Sequence, residues 1–272
     1  MPTQFAKSLF WNLPHEVRRV LFRARHPSSY NHLQKLRTET EGDYSLRPFI
    51  DHKCVFVHIP KCAGSSISRS LFGNLGGGHT SARKYQIVFT KKEFAEYFKF
   101  AFVRNPWDRV VSAFLFLKAG GTGQTDRRWA EQNLSEYPDF DSFVRGWLNP
   151  VNARASWHFK PQYPYVSGGD GRLLIDFVGY FERLQEDYSF IRRTIRCGAP
   201  LIHLNQTRDR SKDFRQYYRE ETQQIVADVY REDIRIFGYG FESEAPTGPR
   251  HVNSPATRQH SLPTTGRFVP GR

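Results

Sequence analysis

Short runs rich in β-branched and aromatic residues alternate along this chain with stretches of helical period, and this alternation limits the fold more than any other feature. "CVFVHI" leads into "SSISRSLF", "KFAFV" into "WDRVVSAFLFLK", "DFVGYF" into "EDYSFIRRTI", and "LIHL" precedes "EETQQIVADVYREDI". Strands that alternate with helices in this way make a parallel sheet covered by those helices. The expected fold class is therefore α/β, a three-layer sandwich with a central, mainly parallel sheet.

The 272 residues, 39% hydrophobic and 15% aromatic, suffice for one sizeable core. No internal repeat or linker interrupts the middle of the chain, so residues 53–242 read as one domain. Residues 243–272, "SEAPTGPRHVNSPATRQHSLPTTGRFVPGR", are rich in Pro, Gly, Ser and Thr, show no apolar period and read as a disordered tail. Residues 1–52 read as a helical extension packed on the domain. There Phe5, Leu9, Leu13, Val17 and Leu21 recur at helical spacing among Arg18, Arg19, Arg23 and Arg25, and Pro14 breaks the segment in two. Docking of the apolar stripe on the domain is the ordinary reading; peripheral contact with a membrane surface is the alternative.

Lys and Arg number 40 against 27 Asp and Glu, a formal charge of +13 that favours anionic partners without choosing among them. The three cysteines, Cys54, Cys62 and Cys197, are too few for a disulfide framework and show no zinc-ligand spacing. No metal is implied. No window reaches the roughly 18 apolar residues of a membrane helix, and no secretory leader is visible. These observations set the expectation of a soluble chain in a reducing, cytoplasmic compartment.

Two strand-turn-helix units carry the chemistry. In "CVFVHIPKCAGSSISRSLFG", a strand over 54–59 turns through Pro60 to Gly64 into a helix starting near Ser65. Free N–H groups and the positive dipole end at such a helix start bind anions. Gly64 permits close backbone approach, Lys61 adds charge, and Ser65 and Ser66 add hydroxyl donors. A Walker loop places Lys after its last Gly, whereas here Lys61 precedes Gly64, so that kinase pattern fails. In "FAFVRNPWDRVVSAFLFLK", Arg104 stands at the strand's carboxyl end and Ser112 two turns into the helix, where open parallel sheets bind ligands. The bland alternative pairs Arg104 with an acidic neighbour.

Together, in this order and separation, the two loops make the sequence resemble the 3′-phosphoadenosine 5′-phosphosulfate (PAPS) dependent sulfotransferases, most closely the carbohydrate-type family that includes heparan sulfate 2-O-sulfotransferases and small bacterial enzymes. Softer matches follow in "GHTSARKY", "HFKPQYPYV", "DFVGYFERL", "LIHLNQT" and "YREDIRIFGYGF". The resemblance implies a P-loop-like sandwich and a sulfuryl transfer from PAPS to an acceptor hydroxyl of a carbohydrate or glycoconjugate. It implies that Lys61, Cys62, Ala63, Gly64, Ser65 and Ser66 hold the 5′-phosphosulfate and that Arg104 and Ser112 hold the 3′-phosphate. Thr207 and Arg208 are weaker cofactor contacts. His79 is the implied general base, with Lys61 as its catalytic partner at the leaving group, and His158 and Gln162 lie near the acceptor. The residues agree with this picture: PAPS needs two separated anion clamps, and a hydroxyl needs a base that is neutral near pH 7.

His158 is the rival base. His58 reads as a packed strand residue and His203 as a core histidine. Arg127, Arg128 and Arg154 either bind an acidic sugar or are solvated. Two other classes compete: a P-loop kinase, which would need ATP and Mg²⁺, and a basic nucleic-acid-binding module, for which the sequence shows no reader motif.

Overall fold

The computed structural model describes residues 9–202, 213–243, 246–248 and 250–252. Among these, a parallel sheet of three strands runs in the order β1 (Cys54–Val57), β2 (Phe98–Val103), β3 (Phe177–Tyr180). Cys54 pairs with Phe98 and Val57 with Ala101; Phe100 pairs with Phe177 and Val103 with Tyr180. Every strand residue except Phe98 is buried, as expected of a sheet covered on both faces. Lys99 is the polar exception, and Asp176 holds its ammonium at 2.7 Å. Of the fourth expected strand, "LIHL", Leu201 and Ile202 are irregular, and His203 and Leu204 lie outside the described residues.

Helices fill the connections. Before the sheet come α1 (His15–Arg25), α2 (Pro27–Thr38) and α3 (Arg47–Asp51), and between β1 and β2 come α4 (Gly64–Phe72), α5 (Ala82–Val88) and α6 (Lys91–Glu96). Between β2 and β3 stand α7 (Pro106–Lys118), α8 (Gln124–Leu134), α9 (Phe140–Gly146), α10 (Pro150–Ala155) and α11 (Tyr163–Val166). After the sheet come α12 (Leu184–Ile195), α13 (Glu220–Val229) and α14 (Arg231–Phe237). The molecule is thus mixed α/β around a central parallel sheet.

Aromatic residues build two centres. Across the sheet Phe56 stacks on Phe100 with centroids 5.1 Å apart, and Phe177 stacks on Phe190 of α12 at 4.7 Å. Beside it Phe143 lies 5.1 Å from both Phe114 and Phe159 and 5.3 Å from Trp147. The segment from Leu117 to Pro150 contributes Phe140, Phe143, Val144, Trp147 and Leu148 to the core. Tyr217 and Tyr218 meet Phe140 edge-on.

The N-terminal helices are attached by polar groups. A helix leaves its last carbonyls unsatisfied, and those at the end of α5 are met from α1 and α2. Arg19 donates to the Ile87 carbonyl at 3.2 Å, Gln34 donates to that of Val88 at 3.0 Å, and the His15 ring lies 3.0 Å from that of Phe89. Glu16 accepts from the Lys91 amide at 2.8 Å. The expected docking is therefore reversed: Arg18 is buried, whereas Leu9, Val17 and Leu21 are exposed.

At the other end, part of the expected tail joins the sheet. The Val178 amide donates to the Arg250 carbonyl at 2.8 Å and the Val252 amide to that of Asp176 at 3.0 Å, an antiparallel bridge on β3.

Candidate functional site

β1 stops at Val57, and the chain turns through Lys61 and Ala63, both at positive φ (67° and 60°), into α4. Ala63 is the N-cap, so the first amides of α4 point out of the helix start. Gly64 opens the helix, one residue before the sequence suggested. Its missing side chain makes room for a neighbour rather than for a ligand: a Cβ there would lie 1.8 Å from Cδ2 of His58. Cys62 is buried, its Sγ is 3.2 Å from Oε1 of Gln162, and burial pushes its thiol up to about 12. Of Cys62, only the backbone is available to an anion. Ser65 is half-buried and Ser66 buried.

Arg104 leaves the end of β2 and ties the two loops together. Its Nη1 donates to the Lys61 carbonyl at 3.1 Å, and its Nε donates to Asp108 at 2.7 Å. The acidic pairing named as the bland alternative is thus present. Ser112 stands four residues beyond Asp108 and so on the same face of α7, where it is buried. Burial lowers the Arg104 guanidinium to about 10, still charged at neutral pH.

The Lys61 ammonium lies over the Phe116 ring, 3.7 Å from its centroid. Burial, reinforced by the Arg104 charge, lowers it to about 7. A cation so far from its ordinary value is short of counter-charge, since Asp126 opposes the shift only in part.

A cavity of about 710 Å³ opens beside the start of α4, lined by His58, Ser65, His79, Trp157, Lys160 and Tyr165 among others. Nδ1 of His79 lies 3.0 Å from the His58 carbonyl. A carbonyl only accepts, so the proton of the neutral ring sits on Nδ1 and Nε2 keeps the lone pair. Burial lowers the His79 pKa below 6.5, so the ring is neutral at pH 7. The His58 ring lies 4.2 Å away and is pushed down further by burial.

The structure brings Ser65 and His79 to one cavity but leaves the Lys61 ammonium outside it. His158 departs from expectation: its Nε2 lies 2.9 Å from Asp126, and the cavity wall is made by its neighbours Arg154, Trp157 and Lys160. Gln162 cannot bind an acceptor. It is fully buried, its Oε1 accepts from the Arg104 amide at 2.9 Å, and its Nε2 donates to the Arg104 carbonyl at 2.9 Å. Arg127 and Arg128 are exposed away from the cavity wall. Thr207 and Arg208 lie outside the described residues. Among the described residues, no group of three or more His, Cys, Asp or Glu side chains could hold a metal ion.

Sequence reasoning missed Trp157, 58% exposed and edge-on to His79 at 5.1 Å, and Arg109. Arg109 is buried and donates to the carbonyls of His158, Phe159 and Lys160 at 3.2, 3.4 and 2.8 Å. Its only sequence signal was an arginine within an otherwise apolar helical stretch.

The family model described as "Sulfotransferase family" matches residues 49–240. Carbohydrate sulfotransferase 11 of Rattus norvegicus is 26% identical over 231 residues, 70% of this chain and 65% of that protein. Carbohydrate sulfotransferase 14 of Danio rerio is 25% identical over 178 residues, 55% of this chain and 47% of that protein. An uncharacterized protein of Archaeoglobus fulgidus is 32% identical over 114 residues, 40% of this chain and 75% of that protein. The chain thus spans 65% of the length of the rat relative. No solved structure matches it. The likeness to carbohydrate sulfotransferases overturns the cytoplasmic location, which rested only on three cysteines and on the lack of a visible leader or membrane window. No helix among the described residues is long and apolar enough to cross a membrane. Because the matched span takes in all three strands and both strand-turn-helix units, the chain belongs to the sulfotransferase family.

Proposed function

We propose that this protein transfers the sulfuryl group of PAPS to a hydroxyl of a carbohydrate or glycoconjugate. The observation that carries this reading is the joined pair of loops at the carboxyl end of the sheet, Lys61–Ser66 at the start of α4 and Arg104 at the end of β2, linked through the Lys61 carbonyl. PAPS is anionic at both the 3′ and the 5′ position of its ribose, and two neighbouring cationic loops match that pattern. The desolvated Lys61 ammonium and the helix-start amides fit a phosphosulfate, which would supply the missing counter-charge. In this role the turn is P-loop-like. Arg104, with Ser112 on the Asp108 face of α7, would take the 3′-phosphate.

The donor supplies a sulfuryl group whose loose transfer builds charge on the bridging oxygen of the leaving group. Lys61 leaves the Phe116 ring to neutralise that charge, and His79 accepts the acceptor's proton at Nε2. The names of the relatives support a sugar hydroxyl as acceptor, and exposed Trp157 beside His79 offers a ring surface at the cavity. Residues 53–242 form the transferase unit in this reading.

Thermal shift tests the donor site. Adenosine 3′,5′-bisphosphate without divalent ions is expected to raise Tm by several degrees, since a ligand selective for the native state stabilises it. Greater stabilisation by ATP with Mg²⁺ would turn the reading toward a kinase, and strongly salt-dependent binding to DNA toward a nucleic-acid module. Labelled PAPS offered to oligosaccharides, glycolipids and small alcohols tests the acceptor; labelling of alcohols alone would remove the carbohydrate part.

A further inference from the structure

Of the eight large hydrophobic side chains that are exposed among the described residues, four lie at the N-terminus: Leu9, Val17, Val20 and Leu21, the last three on α1. At about 100° per residue, Val17, Val20, Leu21 and Ala24 fall within one sector roughly 100° wide. The opposite face carries His15, Arg19 and Phe22, and its polar groups cap the end of α5. The helix is therefore held in place by its polar side, and its apolar side is left uncovered. Arg25 and Arg23 are exposed and fall on the two flanks of the apolar sector. Glu16, the acidic residue nearest that sector, is occupied by Arg19 and the Lys91 amide.

We propose that this face of α1 seats the protein on an anionic lipid bilayer. The order of groups, apolar in the centre with cations on both flanks, is that of a helix lying in a membrane interface: the aliphatic side chains enter the acyl boundary and the arginines meet lipid phosphates. The charge of +13 adds long-range attraction to the same surface. A protein partner would need acidic groups on both sides of an apolar groove, whereas a bilayer presents phosphates on every side of an inserted helix. Because the grip on α5 uses the far side of α1, the helix can insert without leaving the domain.

Sedimentation of the full chain with vesicles tests this. Binding is expected to equimolar phosphatidylcholine and phosphatidylglycerol vesicles and to be weak with phosphatidylcholine alone. Val20→Asp with Leu21→Asp is expected to lose at least tenfold in partitioning while circular dichroism and Tm stay unchanged, since both side chains already face solvent. Arg23→Ser and Arg25→Ser are expected to lose roughly fivefold each. Val20→Ser with Leu21→Ser serves as a milder pair should the aspartates disturb folding. No sedimentation with either vesicle, or full binding by both paired variants, would overturn the proposal. So would a dimer in light scattering that the paired variants dissociate, because a second copy would then be the occupant.

Discussion

His79 and Lys61 make opposite demands on protonation: the base must be neutral and the lysine charged. Burial holds the His79 pKa below 6.5, so the acid limb of kcat/KM is expected below pH 6.5, with rate lost as His79 gains a proton. His79→Ala is expected to lower kcat roughly 10²–10⁴-fold with adenosine 3′,5′-bisphosphate affinity unchanged. A near-normal kcat there, with a collapse in His158→Ala, would transfer the role to His158. For Lys61 the folded pKa of about 7 lies below the free value of 10.5. Between those limits the unfolded chain holds a proton that the folded chain lacks, so this group makes stability rise with pH over that window and adds no slope below it, where both states hold the proton. Lys61→Met should therefore raise Tm at pH 7, flatten the Tm slope between pH 7 and 10 relative to the parent, and abolish turnover. Equal slopes would mean that the ammonium is hydrated in the folded protein. Such roles were only partly legible in the sequence. A lysine in a turn advertises charge, but its desolvation depends on Phe116, 55 positions away.

At the scale of elements, the strand-turn-helix units were readable because the change from strand to helical period is local. What the turns enclose was not. Gly64 looked like room for a ligand, and the occupant is His58, whose ring was placed there by the bend at Lys61. Gly64→Ala should overpack this contact and destabilise by roughly 1–3 kcal/mol, and His58→Ala in the same chain should restore most of the loss; urea unfolding of the three variants measures it. Gln162 was similarly opaque, because its partners Cys62 and Arg104 are 100 and 58 residues distant. Arg109 acts on a whole segment by gathering three successive carbonyls from 158–160, which fixes Trp157 and Lys160 at the cavity. Arg109→Leu leaves the His158 and Lys160 carbonyls unmet at roughly 1–3 kcal/mol for each that stays dry, while that of Phe159 keeps the Tyr230 hydroxyl. The expected result is a clear loss of stability together with a raised acceptor KM.

For the whole molecule, the parallel sheet followed from the order of apolar runs, whereas the attachment of its N-terminal helices did not. Amphipathic spacing identifies a face but not the side that turns inward; here unmet carbonyls at the end of α5 outweighed the apolar stripe and drew the arginines in. Arg19→Ala combined with Gln34→Ala should lower stability by about 1 kcal/mol per lost bond, and hydrogen exchange should rise along α1 and α2 before the sheet. The bridge on β3 was hidden for another reason: three paired residues inside a Pro- and Gly-rich stretch leave no periodic trace. The hydrogen bond from Arg104 to the Lys61 carbonyl has a consequence for assembly with ligand. Two loops sharing one clasp are ordered together, so occupying either should prepay the immobilisation of its neighbour. Adenosine 3′-phosphate and inorganic sulfate, added as separate fragments, should then bind cooperatively, each tightening the other by one reciprocal factor.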